Sequence, residues 1–374
     1  VLCIAFFANT EILFSVWFFL LLSIIQKGVL ARFGFLSTAD TIVPGGLVSI
    51  QSIGGMVMYV LIGIWMARRH LRDVWNKAFG RPSNLKDEDE LFSYRTAVFG
   101  CLIGVVYIVF WLNTAGLSLS ITILFLFLLF VFYLAIARVV AEAGLVMLDL
   151  PINAHQFTVG IVGSASLTAP DMTALGLTNA FARNWRTFTM IGVSNIAWLR
   201  EQIWPSRKHL FRWCATAFGV STLTSLVYFI VAGYTYGAQN LRTNPGGLGT
   251  EFYNLIITWM NNATQVSALE ISFMASGGIM MILLTVCRYL FYWWPLHPIG
   301  LVVVASSPTL GAIFPIFLAW LIQTILLRIG GGKLYRSVQP LFIGILVGYI
   351  LGQGLSFVVD FYWFPDAPHQ FEAF

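Results

Sequence analysis

The chain has 374 residues, of which 58% are hydrophobic and 10% charged, against about 25% charged in soluble domains, so it cannot cover a water-soluble surface of this size. Its net charge of +5 does not point to nucleic acid, because the basic residues sit beside apolar stretches and read better as loops facing the cytoplasm. Four cysteines (Cys3, Cys101, Cys214, Cys287) lie in or beside apolar runs without CxxC spacing, which favours small buried hydrophobes over disulfides or a metal site.

A membrane helix needs about 20 mostly apolar residues. The chain is apolar from Val1, with no basic stretch and small-residue cleavage site of the kind a signal peptide carries, and further spans are expected ahead of it. The first predicted span is Val1 to Ile25, interrupted at Asn9 and Glu11, and the second is Gly45 to Met66. A polar block follows, residues 68–95, with seven Lys/Arg and the acidic run Asp87 to Glu90; it reads as a cytoplasmic loop. Thr96 to Leu112 and Leu117 to about Val140 form the next two spans, joined by a tight connection.

From 144 to 182 the text is rich in Gly, Ala, Ser and Thr and holds Pro151 and Pro170. It is too apolar for an ordinary loop and too broken for one helix. A broken or re-entrant element fits, because irregular backbone at membrane depth is tolerated inside protein or along a cavity; a plain surface loop is the alternative. Residues 184–200 read as an amphipathic interfacial helix. Leu210 to Ala232 is a span, 233–262 a polar loop, and Val266 to Cys287 a further span. Residues 289–327, interrupted by Pro295, Pro298 and Pro308, read as a hairpin of two membrane segments closed by Gly330 to Gly332. The last span is Leu341 to about Val359, whose Gly344, Gly348 and Gly352 share one face and allow close helix packing. The predicted fold class is therefore all-α: one polytopic domain over 1–374, with about seven to nine membrane helices. Loops 68–95, 200–212 and 328–336 hold most Lys/Arg and are assigned to the cytoplasm.

A charge within the apolar zone costs about 2.5–3.5 kcal/mol on insertion scales, so each one needs a reason. Arg138 and Glu142 are four apart and share a helix face; they are either a gating or binding pair or a helix-end ion pair that fixes packing. Glu270 and Arg288 lie about 27 Å apart along one helix and cannot pair with each other. Glu270 is a candidate for proton coupling, with an interfacial cap as the simpler reading. Glu11, inside the first apolar run, is a candidate proton relay. Asp149, Asn153 and His155 form a polar group in the broken segment, of the kind a transport site of unwound backbone uses. Trp294 and His297 stand in an aromatic and proline-rich stretch that reads as a helix break at the interface. Two histidines 142 positions apart make no metal motif, and no metal or cofactor is predicted. No HExxH, GxSxG, P-loop or dinucleotide fingerprint occurs, so no enzyme is predicted.

Three stretches resemble a family of prokaryotic membrane proteins that is itself similar to the oligopeptide transporters, a group that includes metal-chelate carriers. They are Ile4 to Leu22 with its Glu11–Phe19 run, Arg138 to Gly144, and Tyr292-Trp293-Trp294-Pro295-Leu296-His297-Pro298-Ile299-Gly300. The resemblance implies a many-helix transporter fold with re-entrant hairpins and proton-coupled import of peptides or similar solutes. It also implies that this chain is the C-terminal portion of a longer protein of a prokaryotic inner membrane. The leading expectation is a secondary transporter of a small polar solute, with Arg138, Glu142, Asp149, Asn153, His155 and Glu270 on the path. A structural subunit, held to copies of itself or to a larger membrane complex, is the second reading, and an intramembrane enzyme the third.

Overall fold

A computed structural model describes every residue except 36–45, 84, 86–89, 91–92, 144–151, 180–181, 183–191, 194, 197–209, 242–244, 264, 305–310 and 365–374. Capping chemistry sets where the helices start. Asn9 accepts the backbone N–H of Glu11 through its side chain, so helix α2 (Thr10–Arg32) begins there and α1 (Leu2–Ala5) stands apart from it. The first span is thus displaced towards the C-terminus of the predicted one. Ser93 caps α5 (Tyr94–Thr114) in the same way through the Thr96 N–H. The other long helices are α3 (Gly46–Met66), α6 (Leu119–Ala143), α9 (Leu210–Ala232), α11 (Ala268–Leu290) and α13 (Ile313–Trp363). Inside α13, Gly331 leaves helical geometry with φ 60 and ψ −159, so it is two helices meeting at the triple glycine. Seven helices are long and apolar enough to cross a membrane, and no strand occurs among the described residues. This is an all-α polytopic membrane protein.

Side-chain contacts fix how the spans run. Gln26 Nε2 donates to Gln51 Oε1, joining the end of α2 to the start of α3. The Tyr289 hydroxyl reaches the Met66 sulfur, so α3 and α11 finish together. Arg138 near the end of α6 donates to the Tyr59 carbonyl of α3. Gln323 donates to the Ala8 carbonyl and accepts from Thr10, and Tyr335 donates to the Phe6 carbonyl. One end of the bundle therefore gathers the start of α2, the ends of α3, α6 and α11, and the Gly331 break of α13. Arg68, Arg69, Arg72, Arg328, Lys333 and Arg336 lie in the segments at this basic end.

The centre is α3, with 61% of its membrane window buried against 0% for α9. It crosses α11 at glycines: a Cβ on Gly54 would lie 2.8 Å from the Met274 carbonyl carbon, and one on Gly277 would lie 2.7 Å from that of Gln51. Backbones approach this closely only where no side chain intervenes. The predicted glycine face lies elsewhere, and a Cβ on Gly344, Gly348 or Gly352 would meet nothing within 4 Å.

Two short elements enter the core. α7 (Ala154–Val162) and α8 (Ala169–Thr178) are each too short to cross a bilayer, and Gly163, at φ 82, turns the chain between them. Phe157 packs on Phe132 of α6 at 5.6 Å, and Asp171 accepts the backbone N–H of Ser118 just before α6. α12 (Ile299–Val303) is buried along its length and lies between α2 and α3. There Gly300 faces the Ser15 carbonyl and the Ser52 hydroxyl donates to the Leu301 carbonyl.

Two predicted loops contain helices. Residues 68–95 begin with α4 (Arg68–Ala78), where apolar residues recur at helical spacing between the charges. Residues 233–262 contain α10 (Pro245–Asn261), whose Ile256 and Trp259 are buried and outweigh the turn signal at Pro245. The predicted interfacial helix at 184–200 falls mostly outside the described residues.

Candidate functional site

Three helices bring charged groups together at the basic end, and two further segments add Tyr59 and His297. On α6 the i,i+4 spacing predicted one shared face, and Arg138 Nε meets Glu142 Oε1 at 2.7 Å. The other carboxylate oxygen, Oε2, accepts the Tyr59 hydroxyl of α3 at 2.6 Å. Arg138 closes the triangle: one terminal nitrogen donates to the Tyr59 carbonyl at 3.1 Å, and its guanidinium lies 4.1 Å over the Tyr59 ring. Gly63, one turn beyond Tyr59, supplies the space, because a Cβ there would overlap the guanidinium. The ion pair is about one-third exposed (31% and 36%), so it is not sealed in the core.

A second pair lies beside the first. Arg288, in the last turn of α11, meets Glu11, in the first turn of α2, at 3.2 Å. Between α11 and α12 the chain carries the buried His297. Its backbone N–H donates to Ser15 Oγ at 2.6 Å, and Ser15 in turn donates to the Glu11 carbonyl at 2.7 Å. The Ile299 N–H donates to His297 Nδ1 at 3.2 Å, which assigns the lone pair to that nitrogen and a neutral imidazole to the site. His297 lies within the fields of Arg288, Glu142 and Arg138, and Tyr59 within those of the same three groups. Two cations balance two carboxylates.

Of the residues predicted from sequence, Arg138 and Glu142 meet Glu11, Arg288 and His297 here. Trp294 is half-buried three residues before His297 and packs near Phe291 and Trp293. The remaining candidates lie elsewhere. Asp149 falls outside the described residues. Asn153 caps α7 in a reciprocal box with Gln156, and His155, in the first turn, is buried. Glu270 belongs to the opposite end, where it and Ser267 form the capping box that opens α11. It also lines a cavity of about 280 Å³ walled by Ile50, Phe157, Ile161, Ile271 and Met274.

Tyr59, Gly63 and Ser15 were not singled out from sequence. The available signal was a tyrosine with a glycine four residues on, inside a span otherwise apolar around them.

At the end opposite the charged cluster, Asp171 ties α8 to α6. Burial opposes its charge, but hydrogen bonds from Thr168 and Ser118 outweigh that and hold its pKa below the ordinary carboxylate value. Among the described residues no three His, Cys, Asp or Glu side chains gather as a metal site would require.

No curated protein and no solved structure matches the chain. Residues 1–369 match the family described as "Family of unknown function (DUF6785)", and the chain belongs to that family.

Proposed function

We propose that the chain forms part of a secondary transporter that moves a small polar solute, a peptide or a metal chelate, across a prokaryotic inner membrane with coupling to protons. The observation that carries the reading is the balanced cluster of Arg138, Glu142, Arg288 and Glu11, partly exposed at the end of a membrane bundle. Charges held in such a place cost energy, and a solute or proton path is a common reason for them. The solute class rests on the likeness of three stretches to the oligopeptide transporters.

Glu142 is the proton site in this reading. Its carboxylate holds both Arg138 and the Tyr59 hydroxyl. A proton on Glu142 removes the charge that fixes the guanidinium, and Arg138 becomes free to pair with the carboxylate of a solute. Loss of the proton restores the triangle and expels the solute. The short buried helices α7 and α12 are of the broken type around which transporters build their paths.

The test is uptake of a labelled peptide mixture into liposomes holding the full-length protein, with and without an inward proton gradient. Gradient-driven uptake is expected for wild type and is lost in Glu142→Gln. Absence of uptake by folded wild-type protein sinks the peptide reading. A structural-subunit role is favoured by one observation: among the described residues, none of the membrane window of α9 is buried.

A further inference from the structure

We infer that α4 is an interfacial helix that binds the headgroups of anionic phospholipids. The sequence of α4 splits by face. Leu71, Val74, Trp75 and Ala78 stand at i, i+3, i+4 and i+7, one apolar stripe. Arg68 and Arg72 flank it on one side and His70 and Lys77 on the other, with Arg69 opposite. Residues 68–81 hold five Lys/Arg (Arg68, Arg69, Arg72, Lys77, Arg81) against one acid, Asp73.

The fold puts this helix where a bilayer surface would be. It follows α3 directly through Ala67, at the end of that span, and Phe79 packs on Phe99 of α5 at 5.4 Å. Ala78 is buried against the protein, whereas Trp65 is 67% exposed, Leu71 47% and Trp75 48%. These apolar and aromatic surfaces match the boundary between headgroups and acyl chains, where tryptophan gathers. Arg68 lies 4.5 Å over the Trp65 ring and donates to its carbonyl, and Lys77 donates to the Leu85 carbonyl. Arg69, Arg72 and Arg81 are exposed. Guanidinium groups match phosphate oxygens in bidentate geometry, and clustered cations beside a span attract anionic lipid. The acidic run at 87–90, close in sequence, offers these cations a competing counter-charge.

The test is native mass spectrometry of the full chain in detergent micelles, offered phosphatidylglycerol or phosphatidylcholine with the same acyl chains. Wild type is expected to retain phosphatidylglycerol preferentially. Preference falls roughly fivefold for each arginine neutralised in Arg69→Gln/Arg72→Gln/Arg81→Gln. The charge-keeping lysine triple variant retains most of it. Equal retention of the two lipids by wild type, or an unchanged preference in the glutamine variant, overturns the inference. So does a preference that emerges only once the 87–90 run is neutralised. Should the glutamine variant not fold, wild type alone decides. Its preference must weaken between about 0.1 M and 1 M salt, as the screening length falls from about 10 to 3 Å, and a salt-independent preference overturns the inference.

Discussion

Gly277→Ala tests the helix crossing on which the site rests. The added Cβ would lie 2.7 Å from the Gln51 carbonyl carbon and 3.1 Å from its Cα, where ordinary contact begins at 3.4 Å. The atoms in its way belong to the backbone, so no side chain can swing aside. The Gln51 carbonyl oxygen is nearer still, so relief demands that α3 and α11 part by more than about 1 Å, and a gap of about 0.5–1 Å already forfeits a quarter to a half of the attraction between facing atoms. Overpacking in protein interiors costs about 1–3 kcal/mol. Lipid supplies no hydrophobic drive to hold the helices together. Alanine returns up to about 1 kcal/mol of helix propensity over glycine. The net expectation is a loss of about 1–2 kcal/mol, read by thermal or detergent-titration unfolding of the purified protein. Gly348→Ala is the control: nothing lies within 4 Å of the new Cβ, so it should be neutral or mildly stabilising. A Gly277→Ala protein as stable as wild type, or a Gly348→Ala protein less stable than it, would refute the reasoning.

Gly63→Ala should push the Arg138 guanidinium off the Tyr59 ring while leaving the fold intact, because the displaced group is the end of a flexible side chain. Uptake is expected to fall several-fold with unfolding within about 0.5 kcal/mol of wild type, the range of surface-like changes. Ser15→Ala removes the acceptor for the His297 N–H and should destabilise by about 1–3 kcal/mol, the cost of a buried donor left without a partner, read by the same unfolding assay. The stability Asp171 contributes is present above the ordinary carboxylate pKa of about 4 and is lost as pH falls through its lowered folded value. Acid unfolding of Asp171→Asn should lack that component, and an unchanged acid limb counts against it. Exchanging Glu11 and Arg288 as Glu11→Arg/Arg288→Glu separates clamp from path. If the pair only clamps α2 to α11, the exchange restores both stability and uptake lost in the single variants, and if Arg288 meets the solute it restores stability alone.

The long spans were legible because lipid imposes a length and an apolar composition that few soluble helices meet. Leu210–Ala232 has the predicted bounds, and the α6 pair Arg138 and Glu142 followed from helical periodicity alone. What the sequence hid was long-range. Glu11 and Arg288 stand 277 positions apart, and nothing local marks them as partners. Gly54 and Gly277 carry the closest crossing, yet the regular spacing of Gly344, Gly348 and Gly352 is the more visible pattern. Small residues permit close approach but do not say which helix approaches. The helices α4 and α10 were hidden for another reason. Their charges, or a Pro-Gly turn signal, dominate a composition window even where the apolar residues keep helical spacing.

The charge balance of the site bears on what it is for. Were Arg138, Glu142, Arg288 and Glu11 needed only to hold α2, α3, α6 and α11 together, apolar residues of similar volume would serve as well or better, since partly buried ion pairs seldom stabilise beyond hydrophobic replacements. The Phe14–Trp17–Trp320 aromatic contacts already supply packing at this end, and the glycine crossing holds α3 to α11 further along the bundle. What apolar residues cannot supply is a neutral cluster in which one added proton leaves one arginine without its counter-ion. In the triangle of Tyr59, Arg138 and Glu142, the carboxylate spends one oxygen on each partner, so a single proton weakens both bonds together. In the proposed transporter, a site built this way couples charge to the positions of α3 and α6, the two helices that the triangle joins.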